Sequence, residues 1–143
     1  MNSSSNYQPV LHPRVPEEIY TDREDILEYL HKHALNARHQ RSYSTLLLGQ
    51  RRMGKTEIFL RVVNRLFWEQ DHRDPKAVIP IYYSFEDQPG DRWEFSLKYV
   101  ENIFRWYTAF RLREPDCLDP NKLALDTLMD EAKARLPMTY CLD

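Results

Sequence analysis

Apolar residues recur at steps of three and four in four stretches of the chain, with polar residues between them. This spacing puts the apolar side chains on one face of a helix and predicts four amphipathic helices. Capping residues begin three of the stretches: Thr21 with Glu24, Asp91 with Glu94, and Asp119 with Pro120. The predicted helices cover residues 22–36, 55–69, 92–112 and 120–136.

The third predicted helix has the longest apolar stripe. Trp93, Leu97, Val100, Phe104 and Tyr107 follow one another at helical steps. Such regular spacing predicts a face that is buried against a sheet. The alternative is a platform on which nucleic-acid bases stack, because further aromatic residues flank the stripe.

Two runs of β-branched and aromatic residues predict strands. The first, residues 43–48, ends directly before Gly49, and the second covers residues 77–85. Pro80 has no N–H to donate, so it marks an edge, a bulge or a late start of the second strand. Strands that alternate with helices predict an α/β fold.

Three histidines lie in and after the first predicted helix. His31 and His33 point to different faces of that helix. No acidic or thiol residue lies at a metal-binding spacing from all three histidines. We therefore expect all three to be solvated surface residues rather than metal ligands.

Composition places the chain among soluble globular proteins. Of its 143 residues, 42% are hydrophobic and 29% are charged, which is ordinary for that class. Residues 1–16 are rich in serine and proline and predict a flexible N-terminal segment, which leaves residues 17–143 as one domain. The net charge of −2 gives no general reason to expect nucleic acid as a partner.

Cysteine usage and hydropathy bear on location. Cys117 and Cys141 have neither a metal-binding spacing nor the numbers for a disulfide framework, which favours a reduced, cytoplasmic setting. No apolar run approaches the length of a membrane-spanning helix, so we expect no membrane partner.

A phosphate-binding pattern lies between the first predicted strand and the second predicted helix. The pattern G-x-x-x-x-G-K-[ST] is matched at every fixed position. Its residues are Gly49, Gln50, Arg51, Arg52, Met53, Gly54, Lys55 and Thr56.

Each residue type in this loop suits the binding of a triphosphate. Gly49 and Gly54 let the backbone turn tightly and approach a phosphate chain, and the N–H groups then converge on its oxygens. Lys55 supplies a positive charge for the β- and γ-phosphates. The hydroxyl of Thr56 is a ligand for Mg²⁺.

Two acidic residues follow the second predicted strand. Glu86 and Asp87 resemble a second, Mg²⁺-positioning site, because an apolar strand that ends in carboxylates can hold the metal of a phosphate-transfer enzyme. Against this, the strand is polar for a buried one and comes directly after the helix that follows the loop. Both interpretations stay open.

The loop resembles the G-x-R-R-x-G-K-T phosphate loop of the archaeal and bacterial ATPase group within the AAA+-like and STAND P-loop ATPases. Arg51 and Arg52 are the distinctive part, because the general pattern leaves these positions free. Residues 20–24 resemble the entry motif that precedes the first strand in this group. The resemblance implies that Ile19 and Tyr20 contact the base.

This resemblance implies a P-loop NTPase fold, a three-layer αβα sandwich, with ATP and Mg²⁺ as cofactors. Members of the group continue with a third strand that ends in Asp-Asp or Asp-Glu, which holds Mg²⁺ and orients the attacking water. The chain ends at Asp143, about where that strand is expected. We therefore expect the N-terminal part of such an ATPase, truncated before this Walker B motif and with an incomplete sheet. The alternative is a reduced domain in which Glu86 or Asp87 substitutes.

Three functions are consistent with these patterns. The first is ATP·Mg binding through the Walker A loop, with hydrolysis left open. The second is a protein-interaction module, self-association included, in which the nucleotide site is vestigial. The third is a nucleic-acid or transposition-linked ATPase with a basic rim formed by Arg38, Arg41, Arg51 and Arg52.

Overall fold

The computed structural model describes residues 10–11, 24–41, 55–84 and 90–136, and every regular element in these ranges is a helix. No strand and no sheet occur in them, so the predicted α/β three-layer sandwich is wrong. The elements are α1 (Glu24–Leu35), a 3₁₀ helix (Asn36–His39), α2 (Lys55–Trp68), α3 (Arg92–Leu112), a second 3₁₀ helix (Pro115–Leu118) and α4 (Leu125–Arg135).

Residues 77–84 cover most of the second predicted strand but have no regular structure. Side chains, not a neighbouring strand, bind their backbone groups. The amide of Gln70 accepts from Val78 N–H (2.8 Å) and donates to Val78 O (2.6 Å). Asn102 Nδ2 donates to Tyr82 O at 3.0 Å, and Pro80 has no N–H. The first predicted strand, residues 43–48, lies outside the described residues.

The chain divides into two compact units, Met1–Trp68 and Glu69–Asp143. In the first unit, α1 packs against α2 through a small apolar core. This core forms because both helices carry apolar residues at steps of three and four. Its buried members are Leu30, Ile58, Val62 and Leu66, with Ile26, Leu27, Ala34 and Leu35 packed around them.

The first predicted helix is confirmed where the structure describes it. Its acidic first turn and basic last turn both complement the helix dipole. The 3₁₀ helix that follows ends at His39, and its C-cap Gln40 takes a left-handed conformation with a φ of 58°. Thr21 of the predicted capping box lies outside the described residues.

His31 corrects one prediction, because it is buried, with 8% of its surface exposed. It follows Leu30 and lies one helical turn after Leu27, which places it on the inward side of α1. The expectation of a surface histidine is therefore wrong for His31. His39 is exposed as expected, and the ring of the half-buried His33 lies 4.2 Å from that of Tyr29.

In the second unit, α3 begins and ends with identifiable caps. The Asp91 carboxylate accepts a hydrogen bond from Trp93 N–H, which confirms Asp91 as the N-cap. The helix ends at Leu112, and its C-cap Arg113 takes a left-handed conformation with a φ of 57°. Its C-terminal half buries Trp106 and Phe110, and α3 packs against the second 3₁₀ helix and α4.

The fourth helix starts later than predicted. Asp119 caps a turn instead of the helix. Its Oδ1 accepts a hydrogen bond from Asn121 N–H at 2.9 Å, and its carbonyl oxygen accepts from the N–H groups of Lys122 and Leu123. α4 therefore begins at Leu125 and buries Leu128 completely. Met129, the next residue along the helix, is 41% exposed.

Candidate functional site

The phosphate loop is described only at its end. Lys55 and Thr56 lie in α2, and the other predicted site residues lie outside the described residues. Those outside are Ile19, Tyr20, Gly49, Gln50, Arg51, Arg52, Met53, Gly54, Glu86 and Asp87.

The second predicted helix is confirmed, and it begins at Lys55, directly after the second glycine of the loop. Thr56 follows with an exposed side chain. The first four N–H groups of a helix have no partner within the helix, and its dipole makes this end positive. The start of α2 therefore presents N–H groups and positive potential beside Gly54, where an anion is stabilised.

An ion pair lies one turn into α2. Glu57 is 3% exposed, and its Oε1 lies 3.3 Å from Arg61 Nε, one turn further along. A carboxylate here competes with a phosphate for the positive end of the helix, and the arginine offsets its charge. Glu57 and Arg61 are not among the site residues predicted from the sequence, although their i, i+4 spacing is a recognisable pattern.

The body of α2 is fixed by contacts along its length. Asn64 Oδ1 accepts from the N–H groups of Val10 (2.8 Å) and Leu11 (3.1 Å), and its Nδ2 donates to Leu11 O. Arg65 donates to Glu28 of α1 at 3.0 Å and thereby lowers the pKa of that carboxyl. Together with the apolar core, these contacts hold the helix that carries Lys55 and Thr56.

The predicted basic rim is described in part. Arg38 lies in the first 3₁₀ helix and Arg41 follows it, and both are exposed. The other two arginines of that rim belong to the loop outside the described residues.

A second surface lies on the N-terminal half of α3. Trp93, Leu97 and Val100 are 76%, 71% and 63% exposed and share one helix face at steps of four and three. We call these three residues the α3 stripe. The expectation that they are buried against a sheet is wrong, because no sheet is present in the described ranges to cover them.

Tyr83 lies against another side of this half-helix, whose residues 91–100 are all exposed. The ring of Tyr83 meets Tyr99 edge-on at 5.3 Å and Phe95 at 6.0 Å. These are favourable aromatic geometries. The irregular segment 77–84 thus packs on one side of α3 and leaves the α3 stripe to solvent.

The described part of the chain has neither an accessible cysteine thiol nor a cluster of metal ligands. Cys117 is 1% exposed, and burial, followed by the charge of Glu114, raises the pKa of its thiol, which keeps it protonated. No group of three or more His, Cys, Asp or Glu side chains is placed there to hold a metal ion. Among these residues, none of the helices has the length and apolar character that crossing a membrane requires.

No protein-family model, curated protein or solved structure matches the chain. The assignment to the AAA+-like and STAND P-loop ATPases is therefore wrong. It required a parallel sheet, and residues 77–84 form no strand. It also required relatives, and none is found. The part of that prediction that the structure confirms is the helix that begins at Lys55, directly after the loop.

Proposed function

We propose that residues 49–56 bind the phosphates of ATP together with Mg²⁺. The observation that carries this proposal is the start of α2 at Lys55, directly after the second glycine of the G-x-x-x-x-G-K-[ST] pattern. The pattern needs a helix N-terminus at this point, because the helix supplies N–H groups and positive potential to the phosphates. The proposal rests on this local arrangement and needs no family membership.

Two side chains have distinct roles in the proposal. Lys55 adds a positive charge that neutralises the terminal phosphates. Thr56, exposed in the first turn of α2, offers its hydroxyl to Mg²⁺. The proposal covers binding and not hydrolysis, and it includes a cytoplasmic location, where ATP is available and Cys117 stays reduced.

The test is titration of the full chain with a fluorescent ATP analogue in the presence of Mg²⁺. Lys55→Ala is expected to weaken binding about 10- to 100-fold, since hydrogen bonds to charged groups contribute about 1.5–3 kcal/mol. Thr56→Val is expected to remove the part of the affinity that depends on Mg²⁺. Lys32→Ala removes the same charge from an exposed position on α1 and is expected to bind as wild type does. Unchanged affinity in Lys55→Ala would refute the proposal.

A second function, self-association, is favoured by the α3 stripe. We propose that the stripe packs against the same stripe of a second copy. A two-fold interface must be self-complementary. In an antiparallel pair centred on Leu97, Trp93 lies opposite Val100 of the second copy, so the largest side chain meets the smallest.

The charges beside the α3 stripe do not oppose such a pair. Glu94 lies 3.4 Å from Lys98, and Glu101 lies 2.9 Å from Arg105, so each carboxylate has a basic partner on its own helix. Three side chains cover much less than the ~800 Å² per partner of a standard interface. We therefore expect weak, concentration-dependent association.

Sedimentation velocity over a wide range of protein concentrations tests the pair. Wild type is expected to sediment faster as the concentration rises, and Leu97→Glu is expected to remove that dependence because it buries a charge at the centre of the contact. Met129→Glu places the same charge on an exposed apolar position of α4 and is expected to behave as wild type. A wild-type chain that stays monomeric at several hundred micromolar would contradict the proposal.

A further inference from the structure

The turn of residues 71–76 is held to the C-terminal end of α3 by an arginine. Arg111, 8% exposed, donates from Nη1 to the carbonyl oxygens of His72 (3.2 Å) and Asp74 (2.7 Å). The turn has its own hydrogen bonds, from Asp74 N–H to Asp71 O and from Ala77 N–H to Asp74 O. Arg111 of α3 thus binds two carbonyl oxygens of a turn that also has hydrogen bonds of its own.

The ring of His72 makes a further contact between the turn and the end of α3. Its Nδ1 lies 3.5 Å from Nη1 of Arg113. A guanidinium has only donors, so this contact is a hydrogen bond only when Nδ1 carries no proton. Arg113 holds a left-handed conformation at the end of α3, a position where glycine is usual, and its side chain reaches the ring from there.

The charges around the ring favour the neutral imidazole. They are Asp71 and Arg73 in its own turn and Arg111 and Arg113 at the end of α3, three cations against one carboxylate. The carboxylate of Asp71 lies 4.0 Å from Nδ1 but is 70% exposed, so solvent screens it. A protonated His72 would repel the two arginines that hold the turn.

We propose that His72 is a pH-sensitive latch, closed when its ring is neutral and accepts from Arg113, and opened when the ring gains a proton. The latch controls the attachment of residues 71–76 to α3, and through it the segment whose Tyr83 contacts Phe95 and Tyr99. Its groups all lie within Glu69–Asp143, so the latch does not rest on the proposal of nucleotide binding at residues 49–56.

The sign of the pH dependence follows from the ring's surroundings. Burial first, and then Arg113 and Arg73, lower the pKa of His72 below its ordinary value of 6.5. A lowered pKa in the folded chain means that stability is fully present above the unfolded pKa and is lost as the pH falls through the folded pKa. The latch is therefore closed at neutral pH and opens on acidification below 6.5.

The composition of residues 69–143 allows a pH effect in this unit to be assigned to His72. His72 is the sole histidine in residues 69–143, and aspartate and glutamate side chains stay ionised above about pH 5.5. The thiol of Cys117, with its raised pKa, also stays in one state over that range. A change in this unit between about pH 7.5 and about pH 5.5 therefore reports His72.

The experiment is NMR on the isotope-labelled full chain. Amide protection factors of Asp74 and Ala77 are expected to fall as the pH is lowered from about 7.5 to about 5.5. In His72→Gln, which can still accept from Arg113 but cannot titrate, they are expected to stay constant. His39→Gln, at an exposed position, is expected to follow wild type.

A direct titration of the His72 ring protons in wild type keeps the proposal falsifiable if His72→Gln folds poorly. The expected titration midpoint lies below 6.5. A midpoint at or above 6.5, or an unchanged pH dependence of the two amides in His72→Gln, would overturn the latch.

Discussion

At the scale of single residues, a buried arginine of α3 binds the segment that connects α3 to α4. Arg105 is 5% exposed, and its guanidinium donates from Nε to Glu101 (2.9 Å) and from Nη1 to the carbonyls of Cys117 (3.0 Å) and Leu123 (2.9 Å). The two carbonyls lie at the end of the second 3₁₀ helix and in the turn before α4. One side chain of α3 thus fixes the connection between the two helices.

Replacement of this arginine tests that role. Arg105→Leu is expected to lower the free energy of unfolding by about 2–4 kcal/mol, because it leaves Glu101 and two carbonyls without their donor. Arg105→Lys is expected to recover only part of the loss, since an ammonium cannot reach three acceptors in a fixed plane. Chemical denaturation provides the measurement.

The matched control for this prediction is Arg92→Leu, the same substitution at an exposed position of α3. It is expected to change the free energy of unfolding by no more than about 0.5 kcal/mol. Equal effects of the two substitutions would contradict the role given to Arg105.

At the scale of elements, the sequence predicts the helices well, but its prediction of a strand at residues 77–85 is wrong where the structure describes it. α2 was predictable to within one residue at each end, and α3 began after its predicted cap, because helical spacing and capping are local properties. Residues 77–84 show the opposite case. A strand exists only with a partner, and here Gln70 and Asn102 bind the backbone instead.

The α3 stripe shows a second limit of the pattern. Spacing at three and four residues identifies a helix face but not what covers it. The same periodicity continues along α3 to Phe104 and Tyr107, yet Trp93 is 76% exposed whereas these two residues are half-buried. The difference comes from tertiary contacts of the C-terminal half, which no local pattern specifies.

At the scale of the whole molecule, the phosphate-loop pattern and the fold are separate questions. Eight residues determine whether a loop followed by a helix can bind phosphates. A sheet requires pairing between distant segments, and the loop pattern contains no information about that pairing. The helix at Lys55 was therefore predictable, and the ATPase fold inferred from the same residues was wrong.

The central claim, that the chain binds ATP·Mg at residues 49–56, is tested most directly by thermal denaturation with and without the ligand. A ligand that binds only the folded chain stabilises it by about 2.7 kcal/mol at 100 times its Kd. Each kcal/mol raises the Tm by about 2–4 °C for a chain of this size. We predict a higher Tm for wild type in millimolar ATP·Mg and a clearly smaller rise for Lys55→Ala, whose affinity is expected to be about 10- to 100-fold weaker. An unchanged wild-type Tm at that concentration would contradict the claim.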